Sequence, residues 1–584
     1  MKTIPSKYKK KPFKIKTNEI PYIEYTEKAC LKLPPQEKPD VDFSEKMGIL
    51  EDALKLSGAT AFSRSVGLVR DAIIMNKLGS SSSSDVLNVG ISFYTNAKNQ
   101  LLEGNTGLIF LHLIMTNQIN IGQTDHGKQV RSFYGYLILS AIAISMVFLL
   151  CSSTYFLAFF SGFKTAPDHF SDIVHASVLA SFYGMFLIPI FYFTMFLNIY
   201  NNFLISNFLP SLTSLGVILS LYSLNIKPCY TLAVGHIIGL ILQIIVLMPF
   251  TKSKTSYLKP FWKFNCPIGM ELLELFSRIL WVAVVYHMNF IMIKTCSALF
   301  TSGTLSCFAT AERLVQTFSG IITNSLAQAA TKDLYMFASA SNYNSNDEIN
   351  DNEIFTQNPK AENEDIILEK WYFALSTAFF FIIPTSVFLS IDTFSISSML
   401  YFHGSCSWHD IKLIATLIGI LAWTLIPHAI IRISSPMLIF AGDFSSAARI
   451  AFQGAMFQAL TISLLHQEDI FCLAISSVVS HIVQAYVTIK CFKELFTIEK
   501  LKLNTLKTSV KKHFLATIPA VIISQPILWL GNWDLGPTAG NIIFLMTSFL
   551  VGFITYFSMS AYLKTEEATL FMKIFNFKFL KKDT

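Results

Sequence analysis

Long apolar stretches separated by short polar connections dominate the chain from residue 52 onward. Fourteen such blocks can be counted, near 52–78, 86–117, 132–160, 172–197, 201–223, 229–250, 271–299, 304–332, 368–396, 410–434, 445–466, 469–490, 513–533 and 539–563. Each reaches the ~20 residues that a helix needs to cross ~30 Å of hydrocarbon. The blocks are unbroken, not alternating, so they predict helices and argue against the ~10-residue strands of a membrane barrel. The expected fold is an all-α polytopic membrane protein of about fourteen transmembrane helices.

Composition agrees with the pattern. Of 584 residues, 52% are hydrophobic and 14% charged, and the mean hydropathy is +0.49. A soluble protein carries about 25% charge, so a water-soluble enzyme and a disordered chain are both excluded. Nine cysteines (Cys30, Cys151, Cys229, Cys266, Cys296, Cys307, Cys406, Cys472, Cys491) are scattered without CxxC spacing and read as small apolar fillers.

The net charge of +7 matters through its placement. Residues 1–48 form a polar tail with a lysine run (Lys7, Lys9, Lys10, Lys11, Lys14, Lys16) and no apolar segment behind it, which reads as a cytoplasmic tail and not as a signal peptide. Basic residues gather after span 6 (Lys252, Lys254, Lys259, Lys263), after span 12 (Lys490 to Lys512) and in the C-terminal tail (Lys573, Lys578, Lys581, Lys582). The connections after spans 9, 11 and 13 contain no Lys or Arg. Because cytoplasmic loops are the basic ones, both termini are expected in the cytoplasm. The stretch Asn342 to Asp365, rich in Asn, Asp and Glu, reads as a solvated insert that weighs little on topology.

A trace of duplication divides the chain. Phe62-Ser63-Arg64 of span 1 recurs as Phe276-Ser277-Arg278 of span 7, an offset of six spans. Two six-helix lobes plus two C-terminal helices follow, as in transporters built from repeats. The expected units are the tail 1–48, an N-lobe at 49–250, a C-lobe at 251–492 with a polar insert at 333–367, and spans 13 and 14 with a basic tail at 493–584.

Chemistry should be sought among charges inside the spans, where each costs at least ~2.5 kcal/mol at a helix centre. Span 1 carries Arg64, Arg70 and Asp71; span 2 carries Lys98 and Glu103; span 7 carries Arg278 and Lys294; span 8 carries Glu312 and Arg313. Arg64 and Asp71, seven apart, share a helix face, while Arg70 is turned roughly 120° from Arg64 and lies ~9 Å further along the axis. One reading is structural: Arg70 snorkels, and Glu103 and Glu312 neutralise neighbouring cations. The other is a shared, water-filled, cationic cavity, favoured because the deep charge concentrates on equivalent helices of two lobes. Such a cavity selects an anion, and guanidinium forks suit phosphate or pyrophosphate oxygens.

These residues carry a resemblance. The stretch SRSVGLVRDAIIMNKLGSSSSSD (Ser63 to Asp85), followed by LLEG (Leu101 to Gly104), resembles the N-terminal signature of the MurJ/MviN family of lipid II flippases, within the multidrug/oligosaccharidyl-lipid/polysaccharide exporter superfamily. SGTLSCFATAERLVQTFSG (Ser302 to Gly320), MLYFHG (Met399 to Gly404) and FAGD (Phe440 to Asp443) are similar to further segments of that family. The resemblance implies a V-shaped bundle of two lobes around a central cationic cavity, with the two extra helices forming a groove for a lipid tail. It implies that lipid II, an undecaprenyl-pyrophosphate glycopeptide, passes from the inner to the outer leaflet of the bacterial cytoplasmic membrane by alternating access, for cell-wall synthesis. The family's cavity arginines fall on Arg64, Arg70 and Arg313, and a further one falls on Lys98, which keeps the charge but loses the planar fork. Ser63, Asp71, Asp85, Glu103, Gly104 and Glu312 are the expected supporting residues. The chain departs from the family where a span 2 proline is absent from Ser92 to Lys98, and where Ile293, beside Lys294, occupies a polar position of span 7.

Other readings stand beside this one. A flippase for another polyprenyl-pyrophosphate-linked glycan would use the same cationic logic; a cation-drug exporter would need unpaired acids in the cavity. A non-transporting scaffold of the division machinery would tolerate charge reversal at Arg64 or Arg313. A prenyl-phosphate glycosyltransferase would need a carboxylate in a large external loop, and none is evident, so no enzyme is expected. His403, Cys406 and His409 have a spacing that a metal could use but no evident fourth ligand, and read as turn residues. Ser80 to Ser84 reads as an external turn, since no Gly-Lys pair accompanies it. No metal and no cofactor are expected. The expected partners are lipid II and membrane lipids, with cell-division and peptidoglycan-synthesis proteins as candidates and no nucleic acid.

Overall fold

The computed structural model describes residues 42–91, 123–159, 167–199, 203–251, 260–261, 284–285, 291–297, 300–330, 361–440, 443–465, 470–495 and 503–572. Lys98, Glu103, Gly104 and Arg278 lie outside the described residues. No strand occurs among the described residues, and the apolar blocks appear as helices wherever they are described.

Span 1 is α1 (Asp42–Leu78), and a short turn leads to α2 (Ser82–Gly90), the entry to span 2. Spans 3 and 4 are α3 (Gln123–Phe159) and α4 (Pro167–Ile199). Span 5 divides into α5 (Phe203–Phe208) and α6 (Pro210–Ser223), and span 6 is α7 (Pro228–Thr251). Span 8 is α8 (Thr304–Ser319), continued by one π turn at Gly320–Asn324. Then come α9 (Ala361–Ile391) and α10 (Thr393–Tyr401); span 10, built from α11 (Trp408–Leu421), a 3-10 turn and α12 (Leu425–Phe440); α13 (Phe444–Leu465); α14 (Phe471–Leu495); and the last two spans, α15 (Leu503–Leu528) and α16 (Ala539–Tyr562). Among the described residues, nine helices are long and apolar enough to cross a membrane, corresponding to spans 3, 4, 5, 6, 9, 10, 11, 12 and 14.

Several helices begin well before their apolar block. α1 starts at Asp42, α9 at Ala361 inside the acidic insert, and α15 at Leu503. Hydropathy marks only the part of a helix that meets hydrocarbon, whereas the backbone bonding that defines the helix continues into the polar layer.

Proline punctuates the bundle. The break in span 5 follows from Pro210 at the first position of α6, since a proline there has no N–H to extend α5. Pro189 lies inside α4, just before the stripe Ile190, Thr194, Asn198 that recurs every fourth residue on one face. Close helix approach is set by glycine: α7 carries Gly235 and Gly239 four apart, and a Cβ on the facing Gly216 of α6 would fall 2.5 Å from the Gly239 nitrogen. Small residues let these two backbones touch, the usual way helices associate in lipid.

Two buried clusters organise the molecule. One joins α2, α4, α6 and α7 through Val89, Ile173, Tyr183, Val217 and Leu240. The other is built mainly from α8 to α16, with Trp371, Phe380, Ile418, Leu473 and Phe492 in its interior. Trp371 stacks on Phe492 with centroids 5.1 Å apart and donates from Nε1 to the Ser434 hydroxyl at 2.8 Å. α1 bridges the two, packing on α5 and α6 on one side and on the π turn and α10 on the other. α15 and α16 pair and dock on α9, leaving Ile522, Met546 and Leu550 exposed on the outer face. An exposed apolar face of this kind is what contact with lipid tails requires.

Candidate functional site

The charges of span 1 meet those of span 8 where α1 crosses between the clusters. Asp71 is buried and serves two cations at once. Arg70 donates to its Oδ1 from Nη2 at 2.7 Å and from Nε at 2.9 Å, and Arg313 Nη1 approaches the same oxygen at 3.4 Å. Arg70 also reaches the Ser214 hydroxyl of α6 at 3.4 Å, and Arg313 donates from Nη2 to the Asn88 side-chain carbonyl of α2. Among the described residues, one carboxylate for two guanidinium groups leaves the cluster net positive, and low-dielectric surroundings make that charge felt over a longer range than in water.

Asp85 ties the chain together at the next level. It is buried, and its two carboxylate oxygens accept from the Gly303 N–H, the Ser306 N–H at 2.9 Å and the Ser306 hydroxyl at 2.6 Å. Asn88, a helical turn after Ser84, donates to the Ser84 carbonyl at 2.9 Å and to the Ser306 hydroxyl at 3.3 Å, so α2 and the start of α8 form one polar seam. Lys294 is buried and pairs with Glu312 at 3.5 Å. This is the structural pairing expected for Glu312, on a lysine of span 7.

Arg64 stands apart from Asp71. Its guanidinium lies against Gly320 in the π turn of span 8, where a Cβ would fall 3.0 Å from Nε and 3.1 Å from Nη2. Ser63, buried beside it, and Arg64 line a polar cavity of about 50 Å³ among α1, α4, α5, α6, α7 and the end of span 8. Amides and hydroxyls dominate the wall, and its described lining includes no Asp or Glu. Asn324 of the wall is held by Arg432 Nε at 2.8 Å, and Asn207 donates to Gln328 at 3.0 Å. Arg70 and Arg313 are not part of this wall. The sequence-predicted cations therefore occupy two places, Arg70 with Arg313 on Asp71, and Arg64 in the amide-lined cavity. Lys98, Glu103 and Gly104 fall outside the described residues.

The end of α1 distal to its N terminus is joined to the second cluster by backbone contacts. The Ser405 N–H donates to the Asn76 carbonyl at 2.9 Å, and Gly404 at φ +65° abuts Asn76. Gly303, at φ +91°, abuts Ser80 in the same way. A left-handed glycine with a neighbouring chain at that distance has no room for a side chain. The segment of His403, Cys406 and His409 belongs to this turn, and Ser407 and Asp410 form a capping box that starts α11.

Sequence reading missed several members of the site. Asn88, Ser214 and Ser306 are uncharged and commonplace, and nothing in their spacing sets them apart. The half-buried histidines His428 and His481, with ring centroids 5.7 Å apart and Ser319 bonded to His428 at 2.7 Å, did offer a signal, since ionisable residues inside spans are rare.

The comparisons with known proteins now decide the family. A family model described as lipid II flippase MurJ matches residues 74–544. The chain belongs to the MurJ family. The probable lipid II flippase MurJ of Thermotoga maritima is 24% identical over 369 residues, 63% of this chain and 69% of that protein. That of Buchnera aphidicola subsp. Baizongia pistaciae is 24% identical over 416 residues, 68% of this chain and 73% of its own length. A solved structure of lipid II flippase MurJ in an inward closed conformation is similar with a TM-score of 0.66 at 18% identity, covering 87% of this chain and 98% of that one. A Vibrio cholerae MATE transporter in its bent form is similar with a TM-score of 0.54 at 13% identity, covering 80% and 99%. The MurJ family and the wider transporter class thus share one helical membrane architecture.

Proposed function

We propose that this protein flips lipid II, the undecaprenyl-pyrophosphate glycopeptide, from the inner to the outer leaflet of the cytoplasmic membrane by alternating access, with both termini cytoplasmic. The observation that carries the reading is Arg64, a cation in a polar cavity on a chain of the MurJ family. Moving two phosphates and a sugar-peptide head through hydrocarbon would cost far more than one step can supply, and a wet, polar cavity bypasses that cost. Arg64 holds the diphosphate first. Arg70 and Arg313, sharing one carboxylate, receive it as the lobes rock, and Lys98 adds a point charge to the same path. Ser63, Asp85 and Glu312 support the cations, as do Glu103 and Gly104 of span 2, and the prenyl tail stays in lipid beside α15 and α16. No covalent step is required. The membrane potential, negative inside, assists outward movement of an anion by ~2.3 kcal/mol per charge per 100 mV.

The test is the appearance of newly made lipid II at the outer face after rapid inactivation of the protein, measured by a probe that cannot cross the membrane. Appearance should cease in cells in which Arg64→Glu or Arg313→Glu is the sole copy, while the variant still inserts at normal abundance. Continued appearance of lipid II with either variant, or with none of the protein present, would overturn the proposal. A scaffold would tolerate both substitutions.

A further inference from the structure

The cavity at Arg64 contains polar atoms that no described residue satisfies. Thr194 Oγ1, Asn198 Oδ1 and Gln243 Oε1 are buried, and each has no hydrogen-bond partner among the described residues. All three side chains line the cavity. Thr194 and Asn198 lie one turn apart on the stripe of α4 that follows Pro189, and Gln243 projects from α7 with no exposed surface at all. The Gln243 amide donates from Nε2 to the Thr213 hydroxyl, and turning the amide over would leave its other end without a partner instead. A buried polar group left unmade costs ~1–3 kcal/mol, and native proteins rarely keep one without a partner, a water or a ligand. Three such groups around one cavity, on two helices, argue for something that fills it.

The chemistry of the wall narrows what that is. The unpartnered atoms are two amide carbonyls and a hydroxyl, which accept from O–H and N–H donors. A bare cation could also use oxygens of this kind. Here it would sit beside the Arg64 guanidinium, with no carboxylate in the described lining to offset the repulsion. As the two amides are oriented, their carbonyls repel a second anion. What remains is a neutral group rich in hydroxyls and amide N–H, carried next to the anion that Arg64 holds.

We propose that Thr194, Asn198 and Gln243 form a subsite for the first sugar of the substrate, the amide- and hydroxyl-bearing ring attached directly to the diphosphate. This rests on the flippase reading and adds a division of labour to it. Arg64 takes the phosphate, which every polyprenyl diphosphate shares; the α4 and α7 groups take the sugar, which distinguishes loaded carrier from spent carrier. A transporter that must not carry empty polyprenyl diphosphate outward needs such a distinction, and unpaired polar groups discriminate strongly against a ligand that lacks the matching donors.

The experiment uses the full-length protein purified in detergent and two probes, lipid II and undecaprenyl diphosphate without sugar. For Asn198→Leu with Gln243→Leu, lipid II affinity should fall about tenfold or more while affinity for the bare diphosphate stays unchanged. Thr194→Val, close in shape to the native residue, should shift lipid II in the same direction by a smaller factor and guards against misfolding of the double variant. Equal loss of both probes, or loss of neither, overturns the subsite and leaves the diphosphate reading intact. Failure of the unaltered protein to bind either probe overturns both. Sodium binding that the variants abolish, with lipid II affinity unaltered, overturns the subsite in favour of a cation.

Discussion

At the scale of single residues, the deciding arrangement is one carboxylate between two guanidinium groups. Asp71 has about 6% of its side chain exposed and Arg70 about 19%, so the pair is largely shielded from solvent. Removing one partner of a buried ion pair costs ~3–5 kcal/mol, because the other charge remains buried and unmatched. Asp71→Asn should therefore lower the midpoint of thermal unfolding in detergent and should do so more than Glu312→Gln, whose partner Lys294 meets it at the longer distance of 3.5 Å. Equal shifts would show that Asp71 has no special place. Gly320 makes the complementary case. Its missing Cβ leaves room for the Arg64 guanidinium, and Gly320→Val would push that group away from the position it holds. The expected result is a loss of outward lipid II movement comparable to that of Arg64→Glu, with the protein still inserted, measured by the same outer-face probe.

At the scale of elements, the spans were legible and their interruptions were only partly so. Apolar length located each described helix to within a turn or two in its hydrocarbon portion, because desolvating an unpaired backbone leaves helix as the one economical conformation in lipid. Pro210 announces the break in span 5, yet nothing in GIITN (Gly320 to Asn324) announces a π turn, since that depends on what packs against it. The site was legible in the same uneven way. Charges inside spans are rare enough to name Arg64, Arg70, Asp71 and Arg313, while Thr194, Asn198 and Gln243 look like ordinary polar residues until three dimensions place them around one cavity. The seam between α2 and α8 gives the element-scale prediction. Asp85 alone satisfies two N–H groups and a hydroxyl at the start of α8. Asp85→Ala leaves those donors without their acceptor, so amide hydrogen exchange should speed up at Gly303 and Ser306 first. Unchanged protection at those two positions would show that the seam is held by other contacts.

For the whole molecule, alternating access requires that contacts joining the two clusters at one end be broken once per cycle. The described contacts at the distal end of α1 are local and include Asn76 with Gly404 and Ser405, Lys77 and Gly79 with Ser405, Ser80 with Gly303, and Asp85 with Gly303 and Ser306. Backbone contact as close as that between Ser405 and Asn76, at 2.9 Å from N to O, brings the two residues near enough for a pair of cysteines to be tried there. A covalent bond at that point forbids separation of the clusters there without touching Arg64 or the polar cavity. In a background with Cys406 and Cys307 replaced by serine, so that no nearby native thiol competes, Asn76→Cys with Ser405→Cys should crosslink under mild oxidation. Outward movement of lipid II should then stop, binding of lipid II in detergent should persist, and reductant should restore movement. Movement that continues through the crosslink would mean that this end stays closed while substrate crosses, and rocking of the lobes about it would have to be abandoned.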